Sequence, residues 1–241
     1  YWPANYHLIG KDILTTHAVY WPTMLMSAEL PLPNGIFAHG WWLSGESKMS
    51  KSVGNVVDPL GLIKEYGVDP VRYYLMREMV LGNDANFTME SFIKRYNSDL
   101  ANDFGNLLSR VTNLLTKFFE SKTPKFEDDS KEGNSIKNNG IELINNVSTK
   151  IEEMKVNEAI EIILQFIRSV NKYLEVMAPW KLVKSDMESA GKVLFTAAEA
   201  LRITSLLLSP IMPNRTSIIL KTFRAEKTGL RWGELIPNKT I

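Results

Sequence analysis

Cysteine is absent from the 241 residues, which excludes disulfides and thiolate metal sites and fits a reducing, cytoplasmic setting. No apolar run is long enough to span a bilayer, and no basic-then-apolar segment marks the N-terminus as a secretory signal. A charge excess is missing too: 28 Lys and Arg against 27 Asp and Glu leave a formal net charge of +1. Contact with nucleic acid must therefore rest on local patches and not on a global basic field. The chain also lacks an initiator Met. It opens Tyr1-Trp2-Pro3 and enters a strand-like run within a few residues, so it reads as a piece of a longer protein. What remains is ordinary for a soluble globular chain: 44% hydrophobic and 23% charged residues, with length enough for more than one unit.

The rest of the chain is organised around Lys48-Met49-Ser50-Lys51-Ser52. The apolar, aromatic run Phe37 to Leu43 predicts a buried strand leading into the turn Ser44-Gly45-Glu46, and Gly54-Asn55 loosens the chain behind. Two ammonium groups on a short polar loop can close over a polyphosphate. As point charges they can neutralise the charge that builds up when an α-phosphate is attacked and pyrophosphate leaves. A bare Lys-x-x-Lys is usually a solvated surface loop. The whole pentapeptide and its hairpin-like approach resemble the signature loop of class I aminoacyl-tRNA synthetases, and its flanks resemble methionyl-tRNA synthetases.

Upstream, the apolar run Tyr6-His7-Leu8-Ile9 ends in Gly10-Lys11-Asp12, and a helix with an interruption at Pro22 is predicted from about Ile13 to Ala28. Strand, glycine turn and helix in that order put Gly10 and Asp12 at the carboxyl end of a parallel strand, where open α/β sheets bind ligands. By itself Gly-Lys-Asp is equally a capped helix start. The segment resembles the one that contacts the adenosine ribose in methionyl-tRNA synthetases. The resemblance implies ATP binding by Gly10, Asp12, His39, Trp42 and the loop residues Lys48, Met49, Ser50, Lys51 and Ser52. It also implies methionine binding by Ile13 and His17, which share a helix face at i and i+4. Read alone, Ile13, His17 and Trp41 would be packing residues, and Trp42 fits packing and base contact equally.

Past the loop, Asp58-Pro59 and Asp69-Pro70 each set an acid before a proline, the pattern of a capped helix start, with helix predicted through Met79. Arg72 and Arg77 read as surface charge that could also face phosphate. Thr88 is a cap candidate for one long amphipathic helix running from Phe92 to Phe118. Ser121 to Asn139, rich in Lys, Asp, Asn and Ser, reads as a mobile connection. Apolar stripes follow at Ile144–Met154, Val156–Leu174 and Val193–Leu208, and Ser209-Pro210 is expected to cap a last helix interrupted at Pro213.

Two details of this helical half go beyond packing. Asn106 and Arg110 stand at i and i+4 on the polar side of the long helix, able to bond base edges or stack on an unpaired base. In Met177-Ala178-Pro179-Trp180, proline ends a helix and holds a flat indole at its mouth. As bare patterns both are common on solvated or lidded helices. They resemble the anticodon-reading elements of methionyl-tRNA synthetases, which implies that Asn106, Arg110 and Trp180 contact the anticodon.

The expected fold class is α/β plus all-α. The resemblance implies that residues 1–43 form the distal half of a Rossmann-type nucleotide-binding domain, 44–88 the lysine loop and a small helical unit that contacts the tRNA stem, and 89–241 an anticodon-binding helical bundle. The resemblance implies activation of methionine with ATP and Mg²⁺, transfer to tRNA(Met), and Lys48 and Lys51 as catalytic groups. No metal ligands, no membrane association and a monomer are expected. The family's first half-fold, its His-Ile-Gly-His loop and its zinc knuckle have no counterpart in these residues, so the chain alone is expected to be inactive. Competing readings are a valyl, isoleucyl, leucyl or cysteinyl synthetase, a non-catalytic tRNA-binding module, and a purely structural bundle.

Overall fold

The structure, a computed structural model, describes residues 2–45, 47–49, 56–124 and 129–235, with Ser47 and Lys48 by backbone alone. At the N-terminal end, β1 (Tyr6–Gly10) pairs in parallel with β2 (Gly35–His39), in register from Tyr6 opposite Gly35 to Gly10 opposite His39. The crossover between them is helical: a 3₁₀ turn at Lys11–Ile13, a π-wound turn at Thr16–Tyr20, and α1 (Trp21–Ser27). The expected interruption is thus a wider winding upstream of Pro22. Pro22 itself sits in the first turn of α1, where the wider winding passes into α-helix.

The expected single strand from Phe37 to Leu43 is two. The chain leaves β2 at Gly40 and resumes as β3 (Trp42–Ser44), which pairs antiparallel with β4 (Ser47–Lys48) and parallel with β5 (Ala85–Phe87). The break follows from close backbone approach: a side chain at Gly40 would run into the Asn83 carbonyl. Nor is the β1–β2 sheet buried. Leu8 is 66% exposed and Tyr6 50%.

In the middle unit, α2 (Pro59–Tyr66) starts as expected, with the Asp58 carboxylate accepting from the amides of Leu60 and Gly61 at 3.0 and 3.1 Å. Asp69 does not repeat this role. The next helix, α3 (Val68–Glu78), begins at Gly67, and Asp69 lies inside its first turn, 2% exposed and turned toward another helix. A small core of Leu62, Val71, Tyr74, Phe87 and Phe92 holds this unit, and Trp42 and Met49 pack against it.

Thr88 caps α4 (Met89–Arg95) through the Ser91 amide, 3.1 Å from its hydroxyl. The long helix then continues through a π-wound stretch, Tyr96–Gly105, into α5 (Asn106–Phe118). The polar segment expected to be a mobile connection is in large part helix. Ser130 accepts from the Gly133 amide at 3.0 Å and starts α6 (Lys131–Glu152), whose inward face is Ile136, Gly140, Leu143 and Val147. Four residues spaced by three or four suffice for a buried stripe, though two turns of this helix carry little apolar surface. Then come α7 (Val156–Met177), the single turn α8 (Pro179–Leu182), α9 (Met187–Leu208) and α10 (Pro213–Thr222). Pro213 is the first residue of α10 and not an interruption; Met212 precedes it, so Ser209-Pro210 belongs to the corner. Leu107, Val111 and Leu115 of α5 meet Ile160, Ile163 and Ile167 of α7 and Leu194 and Leu201 of α9 in one large core. Among the described residues no helix is long and apolar enough to cross a membrane.

Candidate functional site

The residues singled out in the sequence gather at two places. The first is the carboxyl end of the parallel pair. Gly10 closes β1 opposite His39, which closes β2, and the Asp12 carboxylate folds back over Gly10. A Cβ on Gly10 would stand 2.5 Å from Asp12 Oδ1, so any larger residue there would turn the carboxylate away from this position. Asp12 and His39 are both exposed, and among the described residues the Asp12 side chain meets no ion-pair or hydrogen-bond partner. His39 Nδ1 lies 2.8 Å from the Gly40 carbonyl, which can only accept, so that nitrogen carries the proton and Nε2 is left to face outward.

On the adjoining helical crossover Ile13 is 43% exposed and His17 half-buried. His17 Nδ1 donates to the Ile13 carbonyl at 3.0 Å, again leaving Nε2 as the group on offer. Its ring stands edge-on to His7, 6.1 Å between centroids, and His7 Nε2 accepts from the Trp21 indole at 3.2 Å. The apolar, polar-tipped surface of Ile13 and His17 therefore faces outward beside the strand ends.

Trp42 goes elsewhere. Its half-buried ring tilts against Tyr74, 6.0 Å between centroids, as part of the small core that also takes Met49. Lys48 continues the hairpin of β3 and β4 opposite Leu43. Ser50, Lys51 and Ser52 lie outside the described residues.

Asp84 is not among the residues singled out in the sequence. It accepts from Lys11 Nζ at 2.6 and 2.8 Å and from the Trp41 amide at 2.8 Å, and the Lys11 ammonium lies 4.3 Å from the Trp41 ring centre. The Lys11 hydrogen bond, then that of the Trp41 amide, hold the Asp84 carboxyl below the usual carboxylate range. This clasp ties the first turn after β1 to the β2–β3 break.

The second place is the far side of the bundle. Arg110 on α5 lies over the Trp180 indole on α8, its guanidinium carbon 5.1 Å from the ring centroid. Arg110 also reaches Glu175 at 3.5 Å and Asn171 Oδ1 at 3.5 Å, both on α7. Asn171 is fixed in turn by its amide, which donates to the Asp103 carbonyl at 2.9 Å. Asn106 stands one turn before Arg110, exposed. Ala178 makes the arrangement by adopting the left-handed conformation (φ 44°) at the end of α7, after which Pro179 starts α8 and swings Trp180 toward α5. Trp180 is half-buried, packed by one side on the main core. Asn106, Arg110 and Trp180 thus offer an amide, a guanidinium and an indole, while Asn171 and Glu175, not read in the sequence, orient the guanidinium.

Known proteins match this chain along nearly its whole length. A family model described as tRNA synthetases class I (M) matches residues 1–112, and one described as the anticodon binding domain of methionyl tRNA ligase matches residues 124–239. The methionine–tRNA ligase of Clostridium acetobutylicum is 45% identical over 215 residues, covering 88% of this chain and 33% of the relative. That of Halalkalibacterium halodurans is 42% identical, covering 98% of this chain and 36% of the relative. The chain thus spans about a third of the length of these curated relatives. The solved structure of Mycobacterium tuberculosis methionyl-tRNA synthetase in complex with methionyl-adenylate superposes with a TM-score of 0.89 at 37% identity, over 100% of this chain and 50% of that one. Two adjoining family models in order, and relatives of one kind across both, mean that this chain belongs to the methionyl-tRNA synthetase family.

Proposed function

We propose that this chain is the lysine-loop and anticodon-reading part of a methionine–tRNA ligase, and that Arg110 lying over Trp180 beside Asn106 carries the reading. A guanidinium lying over an indole gives an unpaired base a cation and an aromatic surface to meet, and Asn106 adds the paired donor and acceptor that a base edge needs. A valyl or leucyl enzyme would need a different reader at this place.

In the whole enzyme the methionine carboxylate attacks the α-phosphate of ATP. The α-phosphate bond to pyrophosphate breaks, and the acyl group of the adenylate then passes to the terminal ribose of tRNA(Met). Gly10 lets the nucleoside approach, Asp12 accepts from the ribose hydroxyls, and His39 flanks the base, while Trp42, its ring packed in the small core, offers the base only backbone groups. Ile13 and His17 meet the methionine side chain. Lys48 and Lys51, with Met49, Ser50 and Ser52 shaping the loop, offset the charge on the departing pyrophosphate. Mg²⁺ enters this reading on the phosphates of ATP, and among the described residues no cluster of three His, Asp or Glu could hold it.

The exposed faces of the two-stranded β1–β2 sheet support the view that this chain alone is catalytically incomplete, since two parallel strands do not build a nucleotide pocket. The test is charging by the full-length protein: methionine should be joined to tRNA(Met). Preferential charging with valine, isoleucine, leucine or cysteine would overturn the reading.

A further inference from the structure

The joint between α3 and the corner linking α9 to α10 is held by a polar clamp that none of the site residues explains. The Asp69 carboxylate accepts from the Arg215 amide at 2.6 Å and from Asn214 Nδ2 at 3.3 Å, at the first turn of α10. One turn along α3, Arg72 donates to the carbonyls of Pro210 at 2.8 Å and Ile211 at 2.9 Å. The acid thus meets the unpaired amides that begin α10, and the guanidinium meets the carbonyls of the preceding corner. Each charge matches the backbone dipole it faces.

Elsewhere on α3, Tyr73 packs into the bundle core and Arg77 pairs with Glu161 of α7, but beside the clamp the packing is open. A cavity of about 260 Å³ opens beside the clamp, lined by Pro70, Leu100, Phe104, Met212, Arg215 and Ile219. The two polar ties therefore set how the corner sits on α3.

We infer that Asp69 and Arg72 are positioning residues for the tRNA-dependent step: they fix the angle between the lysine-loop unit and the bundle, so that a tRNA read at one end is delivered to the other. The inference rests on the ligase reading above. Adenylate formation needs only the nucleotide end, and anticodon binding only the bundle. Delivery of the acceptor end needs both in one fixed relation, and misplacement by about 1 Å can cost about a hundredfold in rate.

The test uses the full-length protein and its Asp69→Ala, Asp69→Asn and Arg72→Met variants. Three quantities are compared: methionine-dependent pyrophosphate exchange, binding of a CAU anticodon stem-loop, and kcat/KM for charging whole tRNA. Asp69→Ala and Arg72→Met should lower charging about ten- to hundredfold, with the other two quantities within about twofold, and Asp69→Asn should restore part of the loss. Unchanged charging overturns the inference, as does a parallel fall of all three, which marks a merely structural role. Arg72 is exposed, so its variant decides the matter if Asp69→Ala does not fold. Absence of exchange in the unchanged protein would refute the ligase reading instead, since the clamp is judged only by the ratio of variant to parent.

Discussion

Glu199 and Arg202 pair three residues apart on α9 with no exposed surface on either side chain, Arg202 Nη2 lying 2.6 Å from Glu199 Oε1. Neither charge is there for the other alone. Arg202 also donates to the carbonyls of Gly229 and Arg231, at 2.5 and 2.6 Å. Glu199 accepts from the amides of Gly233 at 2.6 Å and Leu235 at 3.2 Å. The pair is the anchor on which the C-terminal segment folds against the bundle.

Removing one partner should therefore be costly. Arg202→Met leaves Glu199 charged and buried and frees two carbonyls, and it is expected to lower the unfolding free energy by about 3–5 kcal/mol. Urea unfolding followed by circular dichroism measures this. A loss under about 1 kcal/mol would mean that water reaches the pair.

Alkaline stability should depend on Tyr73. Its hydroxyl donates to Asp99 at 2.8 Å, and burial, then the negative charge of Asp99, push it far above the ordinary phenol range. The folded state keeps this proton after the unfolded chain has lost it near pH 10. Stability from this group is thus complete below pH 10 and declines as pH rises above it, by about 1.4 kcal/mol per pH unit. Tyr73→Phe should flatten that decline between about pH 10 and 11, although it lowers stability at neutral pH by removing a donor from Asp99. Equal slopes for parent and variant would refute the assignment.

At the lysine loop, Lys51→Ala in the full-length protein should slow adenylate formation by about a hundred- to a thousandfold, with a far smaller change in ATP affinity. Pre-steady-state adenylation at several ATP concentrations separates the two. A deficit seen only in affinity would mean that Lys51 contacts ground and transition states equally.

Trp180→Ala should weaken binding of a CAU anticodon stem-loop by about 1–3 kcal/mol and reduce discrimination against a changed anticodon. Titration at one stated salt concentration checks this, because phosphate contacts alone would respond to salt and not to the anticodon. Binding that never distinguished the two loops would remove the anticodon role from this surface.

Much of this protein could be read along the chain because the determining interactions are local. The pentapeptide at Lys48, the strand-then-glycine order at Gly10, the Asp58 and Thr88 caps, and the apolar spacing of α7 and α9 all depend on neighbours within a turn or two. The helical period alone sufficed to place a bundle in the second half. The polar first turns of α6 hid that helix, because its stripe makes sense only once α7 and α9 supply something to bury it against.

Tertiary structure decided the rest, for one physical reason: a polar side chain takes the best unpaired partner it can reach, and that partner can lie anywhere in sequence. Asp69 carries the local pattern of a cap for its own helix, yet the open amides of α10 claim it. Asp84, which no local pattern singles out, binds Lys11 and the Trp41 amide. Arg72, read as surface charge, holds the carbonyls at Pro210 and Ile211. Arg110 and Trp180, on separate helices, meet only because Ala178 turns the chain back through a left-handed residue. Local patterning determined the helices; the competition for hydrogen-bond partners across the folded chain decided which charges became joints.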